Sequence, residues 1–151
     1  QRMIAMEHLR FAGVLCLLAE TAFAEGHVST RGDVSSGENQ FNRQCGACHV
    51  VVDNSGAILA GRNRRPGPNL FGVAGRPVAS ATGALYGDSL TAVGRKGAIW
   101  TEAAFVAYVQ NPTGWLRETL QDGRARSKMA YRVRQESEAY DLFAFLASVG
   151  Q

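Results

Sequence analysis

Cys45-Gly46-Ala47-Cys48-His49 is a C-x-x-C-H run, and no other segment restricts the fold of this chain as tightly. A bare C-x-x-C suits a redox dithiol or half of a zinc site. A histidine directly after the second cysteine specifies c-type haem attachment, in which two thiols form thioethers and the histidine ligates iron. The histidine must reach the iron from the same helical segment that carries the thioethers. The rest of the chain therefore has to fold around a large planar group at this point.

The chain has 151 residues, enough for one ordinary domain. Of its three cysteines, Cys16 lies in an N-terminal apolar run. That run reads as a secretory signal. Arg2 and Arg10 flank the start region, Phe11 to Ala19 forms a short apolar core, and Ala22-Phe23-Ala24 has A-x-A cleavage character. Residues 1–24 are the expected signal peptide and 25–151 the mature domain, with Glu25 first. Gln1 and Arg2 precede the first methionine, which puts the start at Met3 or Met6. Glu20 breaks a run already shorter than the roughly 20 apolar residues a spanning helix needs. An uncleaved N-terminal membrane anchor is the alternative. After cleavage only the two motif thiols remain, which leaves no cysteine pair for a disulfide or a Cys-rich zinc site.

A net charge of +3 conceals an uneven distribution. Between Arg43 and Arg134 there are 13 basic and 5 acidic residues, while the two flanks carry the compensating acids. Such segregation predicts a basic face that steers association with an acidic partner. Nucleic acid is excluded as that partner, because the chain reads as exported and carries no nucleic-acid-binding motif.

Ser35-x-x-Glu38 has capping-box spacing and predicts a first helix from Ser35 through Phe41 into the haem motif. Thr101 caps a second, Glu102 to Gln110, which Asn111-Pro112 ends. A third runs from about Gln135 to Val149, with Leu142, Phe145, Leu146 and Val149 as its apolar stripe. Asp53-Asn54-Ser55-Gly56 is a turn between two short apolar runs. The long Gly-, Pro- and Arg-rich connections would count against a compact domain unless they pack on the porphyrin. The class is all-α, one domain of helices and loops wrapped around a single haem.

The iron has a second face. After the haem motif the chain has a single methionine, Met129, in Ser127-Lys128-Met129-Ala130-Tyr131. This segment is polar and non-periodic, so it offers no helix face on which a methionine would be core filler. A thioether favours ferrous iron, and Met/His ligation raises the reduction potential. His27, near the mature N-terminus, is the weaker alternative.

These residues together resemble the class I cytochromes c, specifically the cytochrome c2 subgroup of purple and related bacteria. Gly37-x-x-x-Phe41 is similar to the family's N-terminal helix, where the glycine permits close crossing of a C-terminal helix bearing Leu142 and Phe145. Gly67-Pro68-Asn69-Leu70-Phe71 through Arg76 resembles the segment in which a proline carbonyl, here that of Pro68, accepts the other ring N–H of the ligand histidine. The resemblance implies that Arg76, Trp100 and Tyr86 serve the haem propionates. It also implies that the Tyr108 hydroxyl bonds the methionine sulfur. The stretch Val50 to Arg65 is an insertion shared with the larger members. Arginines replace most of the lysines that usually ring the haem edge, leaving Lys96 and Lys128.

By the same resemblance the chain is expected to be a soluble periplasmic electron carrier, monomeric, with one covalent haem c and no catalytic residues. It would move electrons from a cytochrome bc complex to a photosynthetic reaction centre or a terminal oxidase, with export matching haem attachment outside the cytoplasm. A dedicated donor to one periplasmic redox enzyme is the alternative. A peroxidase would need a dissociable sixth ligand. A four-helix gas-binding haem protein usually has its C-x-x-C-H near the C-terminus, whereas this one comes early.

Overall fold

A computed structural model of the chain describes residues 30–62 and 66–150. The expected signal segment and His27 lie outside those residues.

Helix α1 spans Val34–Gln40 and is capped by Asp33, whose side chain accepts from the Ser36 amide at 2.7 Å. The expected start at Ser35 is therefore corrected. Ser35 sits inside the first turn, and the cap is the carboxylate two residues earlier, which takes an orphan amide at the true helix start. The helix does not stop before the haem motif. It widens into a π-helical turn, Phe41–Cys45, closed by the Gly46 amide on the Phe41 carbonyl at 2.8 Å. Such single wide turns collect at functional sites.

Two strands follow, β1 (Val50–Val52) and β2 (Ile58–Gly61), paired antiparallel with Val50 opposite Gly61 and an irregularity between Val51 and Val52. The turn read at Asp53–Gly56 joins them, and Asp53 accepts from the Ser55 and Ala57 amides at 2.8 and 2.9 Å. The all-α class holds, with this small hairpin added.

Helix α2 (Asp88–Arg95) was not expected, since it is only eight residues long and its apolar face amounts to Leu90 and Val93, of which Val93 alone is buried. Helix α3 covers Glu102–Gln110 as expected, with the Thr101 side chain accepting from the Ala104 amide. Asn111-Pro112 ends α3 and also begins α4 (Pro112–Leu120), where the proline occupies the first turn and Asn111 caps it through the Gly114 amide. A proline cannot continue a helix but is pre-set to start one. Helix α5, Glu136–Val149, buries Leu142, Phe145 and Leu146 together with Phe143, Ala139, Ala144 and Ala147.

The core forms where α1 crosses α5 and α3 packs against it. At the crossing a Cβ on Gly37 would fall on the Asp141 carbonyl oxygen and lie 2.9 Å from the Phe145 Cβ. Phe41, fully buried, meets Phe145 with ring centroids 5.7 Å apart. This contact fixes the haem motif, which begins four residues after Phe41, relative to the C-terminal helix.

Candidate functional site

A cavity of about 670 Å³ opens between these elements, within the range of sites that enclose a cofactor. Its walls are mostly apolar. The first helical segment supplies Phe41, α3 supplies Phe105 and Val109, and α5 supplies Leu142 and Leu146. Leu70, Val73 and Leu90 come from the long connections and α2, which is where those loops bury their apolar residues.

Cys45, Cys48 and His49 all reach this cavity, and so does Met129, 80 residues further on. The Cys48 and His49 amides both bond back to the Cys45 carbonyl, at 3.0 and 2.8 Å, so the motif is one tight turn. His49 Nδ1 lies 3.0 Å from the Pro68 carbonyl oxygen. That carbonyl can only accept, so Nδ1 carries the hydrogen and Nε2 is left with a free lone pair, the form in which imidazole binds a metal. Burial holds the His49 pKa below its ordinary value, against the opposing pull of the Pro68 carbonyl. The neutral ring is thus the favoured one. Burial, helped by the neighbouring Cys48, pushes the free Cys45 thiol up to about 12. Cys48 is exposed.

Gly67 lies flat beneath the histidine. A Cβ there would stand 2.5 Å from His49 Cε1 and 2.6 Å from Nδ1, and the Gly67 amide donates to the Cys48 carbonyl at 2.8 Å. Gly67 therefore packs closely against the ring that the Pro68 carbonyl bonds.

Arg76, Tyr86 and Trp100 line the same cavity. The Arg76 guanidinium donates to the carbonyls of Phe71 (2.8 Å) and Asn69 (3.2 Å), but its buried Nε has no partner among the described residues. Burial lowers the Arg76 pKa from its ordinary value, and Tyr86 nearby opposes that. A buried guanidinium with a free N–H is an anion site awaiting its carboxylate. Tyr86 accepts from the Ala81 amide at 3.1 Å and keeps its own proton to donate. Trp100, 7% exposed, stacks on Trp115 with centroids 5.6 Å apart.

Tyr108 departs from expectation. Its hydroxyl pairs with Ser127 Oγ at 3.0 Å and not with the Met129 sulfur. Ser127 Oγ also accepts from the Met129 amide at 3.0 Å, so the serine stands between the tyrosine and the methionine's backbone. Burial raises the Tyr108 pKa, with Ser127 opposing. Ser127 was missed because a lone serine in a short polar loop gives no periodic signal.

The donor set, the apolar walls and the orphaned Arg76 Nε fit one haem held covalently at Cys45 and Cys48. No family model matches the chain. Individual proteins do. Cytochrome c2 of Rhodovulum adriaticum is 52% identical over 123 residues, spanning 82% of this chain and 97% of that one. The chain belongs to the cytochrome c2 family. Cytochrome c2 of Cereibacter sphaeroides is 42% identical over 138 residues, 90% of this chain and 94% of the relative. The crystal structure of cytochrome c2 from Rhodobacter sphaeroides superposes with a TM-score of 0.76 at 42% identity, covering 79% of this chain and 97% of its own. That from Rhodobacter capsulatus gives 0.73 at 37% identity, covering 80% and 100%.

As a cytochrome c2 the chain is a class I cytochrome c that carries one covalent haem c and transfers electrons; it is not an enzyme. Among the described residues no helix is long and apolar enough to cross a membrane.

Proposed function

We propose that this cytochrome c2 is a soluble, monomeric periplasmic carrier in which Cys45 and Cys48 form the thioethers and His49 and Met129 ligate the iron. The observation that carries this reading is the meeting of all four side chains in one cavity, with His49 Nδ1 already committed to Pro68. The bound haem supplies a one-electron couple. The chain's residues do the rest. Pro68 and Gly67 hold the His49 ring in one tautomer and one orientation, so that little reorganises between redox states. Arg76, Tyr86 and Trp100 line the cavity and would hold the propionates, and the apolar walls would keep water from the iron. Two protein ligands leave no open coordination position, which supports a carrier over oxygen or peroxide chemistry.

In this reading residues 1–24 are a cleaved signal and 25–151 the working domain. Electrons arrive from a cytochrome bc complex and leave to a photosynthetic reaction centre or terminal oxidase. Docking uses the basic face, where Arg126 and Lys128 stand at the cavity mouth.

The test is Met129→Ala in the holoprotein. The potential should fall by on the order of 0.1–0.3 V, part of the roughly 0.8 V that axial ligation spans. Cyanide or carbon monoxide should then bind readily. An unchanged potential and spin state would remove Met129 as the ligand.

A further inference from the structure

We propose that Tyr131 and Gln44 form a latch across the mouth of the haem cavity, which holds the Met129 segment closed and slows exchange of Met129 for outside ligands. The proposal rests on Met129 being the sixth ligand. The Tyr131 hydroxyl donates to Gln44 Oε1 at 2.6 Å, joining positions 87 residues apart, and both side chains line the cavity. Each is a close neighbour of a haem-holding residue. Gln44 directly precedes Cys45 in the π-helical turn, and Tyr131 lies two residues after Met129.

Core burial does not account for the placement of Tyr131. It is 45% exposed, a high value for a large aromatic at a cavity edge. A phenylalanine would cover the same apolar area, so the hydroxyl is the distinguishing part, and its partner is Gln44. On the other side of Met129 the Lys128 ammonium donates to the Leu85 carbonyl at 3.2 Å, and Ser127 Oγ holds the Met129 amide. After Tyr131 the chain is next tied by the Val133 amide on the Val109 carbonyl at 2.9 Å. Between those ties the Tyr131 side chain is the anchor that reaches across to the helix bearing the thioethers. If Met129 swings away from the iron, residues 129–131 move together and this hydrogen bond opens with them. Local opening of this kind is governed by the few contacts that must break.

One net hydrogen bond at a partly exposed site weighs the closed form by about two- to fivefold. The test follows imidazole binding to the ferric holoprotein by stopped flow, at imidazole concentrations where Met129 departure limits the rate. The methionine-to-iron charge-transfer absorption is read first in the unaltered protein. Its absence would overturn the Met129 reading, and the latch with it. With that band present, Tyr131→Phe and Gln44→Ala should each raise the limiting rate about two- to fivefold. The double variant should be no faster than either single one, because the two changes remove the same bond. Gln44→Glu should match or fall below the unaltered rate, since a carboxylate is the stronger acceptor. Unchanged rates in Tyr131→Phe, fully additive effects in the double variant, or acceleration by Gln44→Glu would overturn the latch and leave Met129 as the ligand.

Discussion

Gln121 ends α4 in the left-handed region, with φ 54° and ψ 38°, where a Cβ is unfavourable by about 1–2 kcal/mol. Its side-chain amide returns part of that by donating to the Glu118 carbonyl at 2.6 Å, on an exposed surface where such a bond is worth about 0.5 kcal/mol. Gln121→Gly relieves the first and loses the second, and also adds chain freedom to the unfolded state. The balance favours glycine by about 0.5 kcal/mol, a rise of roughly 1–3 °C in thermal midpoint. A midpoint that falls would mean that the amide bond outweighs the backbone strain. Legibility also differs residue by residue. Cys45, Cys48 and His49 stand out in the sequence because covalent haem attachment demands fixed spacing. Pro68 could be read only through resemblance, since nothing local in its segment says that its carbonyl will meet a histidine 19 residues earlier. The direct partner of Tyr108 could not be read at all. Whether its hydroxyl meets a sulfur or the Ser127 oxygen depends on how one short loop folds back.

Helices were legible where one face is apolar along its length. Helix α5 shows this clearly, and α3 does so by composition and by its Thr101 cap. Helix α2 was not, because it is short, contributes little more than Val93 and Leu90 to the interior, and owes its place to packing against α4. Helix α4 was hidden by a proline whose two meanings, stop and start, both apply at Asn111-Pro112. The α1–α5 crossing, by contrast, was announced by one residue. Gly37→Ala places a methyl on the Asp141 backbone, which cannot yield as a flexible side chain would. Overpacking of this kind costs about 1–3 kcal/mol, and chemical denaturation should show that loss. Gly123 is the control, since a Cβ there meets nothing within 4 Å. Gly123→Ala should stay within about 0.5 kcal/mol. Equal behaviour of the two variants would show that the helices separate to accept the methyl.

For the molecule as a whole, charge decides how partners approach. Among the described residues Arg31 pairs with Glu102 and Arg124 with Asp122. Between Arg43 and Arg134 basic residues outnumber acidic ones 13 to 5, so that stretch carries a net charge of +8. Arg126 and Lys128 line the cavity mouth itself, and Arg124, Arg132 and Arg134 are exposed on the same chain segment. The field should therefore be positive at the cavity mouth. Salt shortens its reach, from a Debye length of about 30 Å at 0.01 M to about 3 Å at 1 M. Electron transfer to an anionic outer-sphere oxidant such as ferricyanide should slow by on the order of tenfold across that range. Transfer to a cationic complex should speed up instead. Arg126→Glu should flatten both dependences, because it reverses a charge at the mouth while leaving the proposed iron ligands in place. A cationic and an anionic oxidant responding alike to salt would show that the charge segregation read along the chain does not become a field at the haem edge.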